Sequence, residues 1–163
     1  MAKVRAQQPL VLSVLDRLLD NEPDVSREAL PNRNQILRDL KQAVRRDLEN
    51  LLNTRVRYLL SPLPLRELKQ SLVNFGIPDF TGANLSTAKA RQEFGRVLQG
   101  IIRQYEPRFK TVQVEVHDNA QSLDRTLRFR IDALLYAEPA PEPVAFDSIL
   151  KPVTGNFEVK GVS

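Results

Sequence analysis

A chain of 163 residues with 42% hydrophobic and 27% charged side chains has the balance of an ordinary soluble domain, long enough to bury about 70% of the surface its unfolded form exposes. The absence of cysteine excludes a disulfide framework and a thiolate metal site. The net charge of +4 is small, and the bases alternate with acids, as in Arg38, Asp39 and Lys41 or Arg45, Arg46, Asp47 and Glu49, which is the pattern of a solvated helix face and argues against a nucleic-acid surface.

Near the start, Lys3 and Arg5 precede an apolar stretch, Leu10 to Leu15, that Ser13 interrupts and Asp16 and Arg17 close. It is too short and too polar for a signal peptide or a membrane span, so the cytosol is expected. Val11, Val14, Leu15, Leu18 and Leu19 recur at helical spacing, which predicts an amphipathic helix over Leu10 to Asp20. The polar, proline-bounded segment that follows reads as a linker, making residues 1–31 an arm able to pack on a partner and residues 32–163 a single domain.

The most regular helix runs from Asn34 to Asn53, on Leu37, Leu40, Val44, Leu48, Leu51 and Leu52, with Asn32 or Asn34 as its cap. Pro62 and Pro64 make Leu59 to Leu65 extended or turning. A short helix is predicted from Leu65 to Val73, ending at the turn of Asn74, Phe75 and Gly76. The next long helix, capped by Asn84 or Ser86, carries Ala90, Phe94, Val97, Leu98, Ile101, Ile102 and Tyr105 on its apolar face and stops at Pro107.

Beyond it the period changes from 3.6 to 2. Val112, Val114 and Val116 alternate with Gln113, Glu115 and His117. After a turn at Asp118 to Ser122, Leu127, Phe129, Ile131, Ala133 and Leu135 share one face of a second strand, so the two form a hairpin. Ala137 to Pro143 reads as a connector, with short strands at Val144 to Leu150 and Phe157 to Val159. Helices first and strands last predict an α+β fold, its N-terminal helices packed on one face of a small, mainly antiparallel C-terminal sheet.

Catalytic patterns are weak. His117, the only histidine, stands on the outward phase of a strand, and no glycine-rich phosphate loop or nucleophile-base spacing occurs. Glu106 is the best candidate for the acid of a glycosidase, but Arg108 beside it favours the charged carboxylate, the opposite of what a general acid needs. No Trp is present to line a sugar subsite. Read locally, Glu106 and Arg108 form a screened surface pair contributing less than about 1 kcal/mol, so that Arg108→Ala would spare folding.

The segments SVLDRLLDNEP, VRRDLENLLNTR, SLVNFGIPDF, IRQYEPRF and FRIDALL, in that order between Leu12 and Leu150, resemble the TssE family of type VI secretion baseplate subunits, within the phage baseplate wedge proteins labelled lysozyme-like. The resemblance implies a non-enzymatic wedge component at the cytoplasmic, inner-membrane end of a contractile, phage-tail-like injector. It implies as partners the wedge subunits TssF and TssG, the sheath proteins TssB and TssC, and TssK, with no cofactor, no nucleic acid and no insertion into the membrane. It assigns wedge docking to Glu106, Pro107 and Arg108. Sheet edges near the C-terminus would accept or donate a strand to the sheath. The competing readings are a peptidoglycan glycosidase and, behind it, a nucleic-acid-binding module.

Overall fold

The computed structural model describes residues 12–18, 24, 32–56, 67–80, 85, 87–117, 126–137, 140–151 and 156–162. Its elements in chain order are helix α1 (Val14–Leu18), helix α2 (Arg33–Asn53), two short 3₁₀ turns (Glu67–Gln70 and Leu72–Asn74), helix α3 (Ala88–Tyr105) and strands β1 (Phe109–His117), β2 (Leu127–Leu135), β3 (Glu142–Lys151) and β4 (Asn156–Val162). The ends of the first predicted helix, the Leu59 to Leu65 segment and the Asp118 to Ser122 turn lie outside the described residues.

Asn32 starts α2: its side chain accepts a hydrogen bond from the Gln35 N–H at 2.9 Å, satisfying one of the orphan donors of the first turn. Leu40, Ala43, Val44, Leu48, Leu51 and Leu52 form the buried stripe. The helix ends at Thr54, which turns extended, and the next residue, Arg55, bridges Ile77 in parallel: the Ile77 N–H donates to the Thr54 carbonyl at 2.9 Å and the Val56 N–H to the Ile77 carbonyl at 3.0 Å. Gly76 makes this approach possible. Its φ is +118°, and a Cβ there would sit 2.5 Å from the Thr54 oxygen.

The helix expected from Leu65 to Val73 is instead two 3₁₀ turns over its described part. The Leu68 carbonyl receives the Ser71 N–H, the Ser71 hydroxyl at 2.8 Å and the Asn74 side-chain amide at 2.5 Å. Short polar side chains thus take the acceptor that an α-helix would use four residues on. At α3 the cap is Thr87, whose hydroxyl accepts from the Ala90 N–H at 3.2 Å, and not Asn84 or Ser86. The helix begins at Ala88, so the orphaned N–H stands three residues after Thr87. Val97, placed by periodicity on the apolar face, is 37% exposed; Phe94, Leu98 and Ile102 are the residues that bury, with Gly95 letting α3 approach Val116 of β1.

The strands form an antiparallel meander in the order β1-β2-β3-β4. Val114 stands opposite Ile131, Ile131 opposite Phe146, and Ser148 opposite Val159. Strand β3 begins two residues earlier than expected and contains Pro143. That proline is tolerated because β4 pairs with β3 only from Ala145 onward, leaving Pro143 with a neighbour on the β2 side alone. Leu127, Phe129, Ile131, Ala133 and Leu135 all face the helices, and α3 packs on β1 while α2 packs on β4. Each fully buried Leu, Ile or Phe of this core contributes about 1.5–3 kcal/mol. Both flanking helices also reach the sheet's edges: Asn53 exchanges two hydrogen bonds with the backbone of Phe157, Arg45 donates to the Val159 carbonyl at 3.2 Å, and Gln99 accepts from the Val114 N–H at 3.4 Å.

Candidate functional site

The corner between α3 and β1 is built by its own sequence. The Glu106 N–H still closes the last helical bond, to the Ile102 carbonyl at 2.8 Å, but Glu106 itself has left helical geometry at φ −113° and ψ 83°. A residue before proline is pushed away from the α region, so the chain turns here. Pro107 is exposed at the apex. The Arg108 carbonyl then accepts from the Tyr136 N–H at 2.9 Å, which ties the corner to the chain just past β2.

The structure does bring Glu106 and Arg108 together, but not as a surface pair. Glu106 is only 5% exposed. One of its carboxylate oxygens accepts from the Arg108 Nε at 2.6 Å and from the Arg108 backbone N–H at 3.2 Å, and the other accepts from Nη2 at 2.5 Å. The expectation of a screened pair whose loss spares folding is therefore corrected: the turn tucks Glu106 inward under the guanidinium. Removing one partner of a buried pair costs about 3–5 kcal/mol, because the other charge is left uncompensated. Both carboxylate oxygens of Glu106 are held by a cation, a poor arrangement for donating a proton to a glycosidic oxygen.

Sequence reading missed the third member. Asp47 of α2 accepts from Arg108 Nη2 at 2.6 Å through Oδ2, so the fork of Arg108 bridges two carboxylates. Burial alone would lower the basicity of this guanidinium, but the bonds and fields of Glu106 and Asp47 raise its pKa above the ordinary arginine value. Arg108 Nη1 is enclosed and, among the described residues, has no hydrogen-bond partner.

The network continues. Asp47 Oδ1 accepts from Arg46 Nη2 at 3.3 Å, and Arg46 Nη2 reaches Asp16 of α1 at 2.7 Å. Ser13 donates its hydroxyl to the other Asp16 oxygen at 2.6 Å. Helix α1 is thus seated by its acid, while Val14, Leu15 and Leu18 are exposed. A signal for Asp47 existed in the sequence. The stripe of α2 advances in neighbouring pairs, Ala43 with Val44 and Leu51 with Leu52, and at Leu48 the pair's other member is Asp47, an acid at a position of core spacing.

His117 is exposed at the end of β1, opposite Arg128. Among the described residues no group of three His, Asp or Glu gathers as metal ligands, and no helix is long and apolar enough to cross a membrane.

Residues 38–140 match the family of baseplate wedge protein gp25, and the chain belongs to that family of structural baseplate components. Among solved structures it is similar to a chain of "The baseplate complex from the type VI secretion system", with 17% sequence identity, 77% of this chain and 96% of that chain covered, and a TM-score of 0.48. No curated protein sequence matches it.

Proposed function

We propose that this chain is the wedge subunit of a type VI secretion baseplate, acting without catalysis in the bacterial cytoplasm near the inner membrane. It docks to the wedge subunits TssF and TssG through the α3–β1 corner and helps start the TssB/TssC sheath, with TssK as a further neighbour. Family membership supports the baseplate role, and the five sequence segments described above support the type VI assignment. The observation that carries the docking reading is the corner itself: Pro107 is exposed at the apex, and two carboxylates hold the guanidinium of the half-buried Arg108 beside it in a fixed place. Glu106 acts as a positioning residue. The surface offered to a partner is Pro107 and the exposed part of the Arg108 side chain, whose positive charge a carbonyl or carboxylate of a neighbouring subunit would face.

Residues 1–31 serve as an arm, supported by the exposed apolar side chains of α1. A sheath strand added at β4 would have to displace Asn53 and Arg45 from the backbone they now bind.

The test is co-purification of TssF and TssG with corner variants. Arg108→Ala is unsuitable, because stranding Glu106 should lower the melting temperature by roughly 10 °C, the equivalent of about 3–5 kcal/mol in a domain of this size. Arg108→Lys keeps a charge near both acids but cannot reproduce the fork, and Pro107→Ala removes the rigid apex. Both should remain folded and retain less than a tenth of the wild-type partner. Wild-type co-purification by both variants would remove the corner from the docking face.

A further inference from the structure

Five charged side chains alternate in sign from the N-terminal helix to the corner: Asp16, Arg46, Asp47, Arg108 and Glu106. The two terminal acids are the covered members, with side chains 10% and 6% exposed, whereas the three between them are 23% to 38% exposed. Asp47 is the shared link, giving Oδ1 to Arg46 and Oδ2 to Arg108. Arg46 is in turn shared, with its shorter contact to Asp16 at 2.7 Å and its longer ones to Asp47 at 3.3 and 3.4 Å.

We infer that this chain of ion pairs is a latch that couples the seating of α1 to the rigidity of the α3–β1 corner, with Arg46 as the group that changes hands. While α1 is seated, Asp16 draws Arg46 toward itself, so that Arg46 holds Asp47 only at its longer contacts and Arg108 keeps the shorter one. When α1 lifts away, Arg46 loses its nearer acid and closes on Asp47, where it competes with Arg108 for one carboxylate and repels it as a like charge. Arg108 then rests on Glu106 alone, and the corner loses the tie that joins it to α2. Burial would raise the Asp16 pKa, but the Ser13 and Arg46 hydrogen bonds and the field of Arg46 lower it, and the more distant field of Arg108 adds the smallest part. A partner that draws on the arm would therefore also loosen the corner.

The coupling rests on the ion pairs and not on the docking reading, so it is measured on the isolated full-length protein. Two substitutions break the same Asp16–Arg46 pair and should act differently on the corner. Asp16→Asn frees Arg46 to compete, whereas Arg46→Ala removes the competitor. The readout is backbone amide hydrogen exchange at Arg108, whose N–H donates to Glu106, and at Tyr136, whose N–H donates to the Arg108 carbonyl, each taken relative to the core amide of Ile131.

Asp16→Asn should speed exchange at both corner amides about 3- to 10-fold relative to Ile131. Arg46→Ala should leave them within about 2-fold of wild type, and the double variant should behave like Arg46→Ala. Unchanged corner exchange in Asp16→Asn overturns the latch. So does equal loosening by both single variants, or a double variant as loose as Asp16→Asn, since release of the helix and not the transfer of Arg46 would then be the cause.

Discussion

The side-chain amide of Asn53, the last residue of α2, pairs with the backbone of Phe157 in β4: its Nδ2 donates to the Phe157 carbonyl at 2.9 Å and its Oδ1 accepts from the Phe157 N–H at 2.8 Å. An amide group here does what a neighbouring strand would do, on one of the sheet's two edge strands. Arg45 takes the next carbonyl of the same phase, Val159, so α2 covers the β4 edge as well as packing on the sheet. Covering an edge in this way blunts its capacity to pair with another chain.

Asn53→Ala should therefore destabilise the domain and expose its edge together. Losing two hydrogen bonds and leaving the Phe157 groups unsatisfied costs about 1–3 kcal/mol, visible as a lower urea midpoint. The variant should also self-associate at concentrations where the wild type does not, by light scattering. Asn53→Asp keeps the acceptor but sets a carboxylate oxygen against the Phe157 carbonyl where the amide donated, so it should be destabilised at least as much as Asn53→Ala. Wild-type stability in Asn53→Ala would mean that water replaces the amide at no cost and that α2 does not guard this edge.

Which parts of this architecture could be read from the sequence follows from range. The stripe of α2 and the alternation of β2 are local periodicities, and both appear where expected because the same side chains that define the period are the ones that bury. The corner was also visible, since Pro107 acts on its immediate neighbour. What the corner does with Glu106 was not visible. Arg45, Arg46, Asp47 and Glu49 read as a solvated face because acids and bases alternate there, yet the partners that draw Arg46 and Asp47 into one network lie 30 and 61 residues away. Asn53 is 104 residues from Phe157, and nothing in its own neighbourhood distinguishes it from a helix-end residue facing water.

Gly76 offers a sharper test of the link between α2 and the segment that follows it. At φ +118°, with the Thr54 carbonyl 2.5 Å from where a Cβ would stand, Gly76→Ala must strain the backbone and push apart the Thr54–Ile77 hydrogen bond of the Arg55–Ile77 bridge. Ile77 is fully buried, so the core pays with it, and a loss of about 2–4 kcal/mol is expected by thermal or urea unfolding. Gly95→Ala is the control. A Cβ there meets the Val116 side chain at 3.3 Å and the Val114 carbonyl at 3.4 Å, and the gain in helix propensity, about 1 kcal/mol, offsets the crowding. Equal losses at the two glycines would show that close packing, and not the left-handed backbone, sets the penalty at Gly76.

The acid limit of α1 seating follows from Asp16. Burial raises its pKa, but the Ser13 hydroxyl, the Arg46 hydrogen bond and the fields of Arg46 and Arg108 together outweigh burial and hold it below the ordinary 3.8. Asp39 lines the same groove between α1 and α2 and adds a further acid near the pair. A carboxyl whose folded pKa is depressed contributes stability that is fully present above its unfolded value and is lost as pH falls through the folded one. The contribution should therefore be constant from neutral pH down to about 4 and vanish only below that. Arg46 is 38% exposed, so the pair is partly screened and the contribution at pH 7 should be about 0.5–1 kcal/mol. Urea unfolding of the wild type and Asp16→Asn across pH 2.5 to 7 would show a constant gap that closes only in acid. A gap that persists unchanged to the lowest pH would mean that Asp16 stabilises by shape or hydrogen bonding to Ser13 and not by its charge; a gap that closes near pH 6 would place its ionisation on the wrong side of the ordinary value.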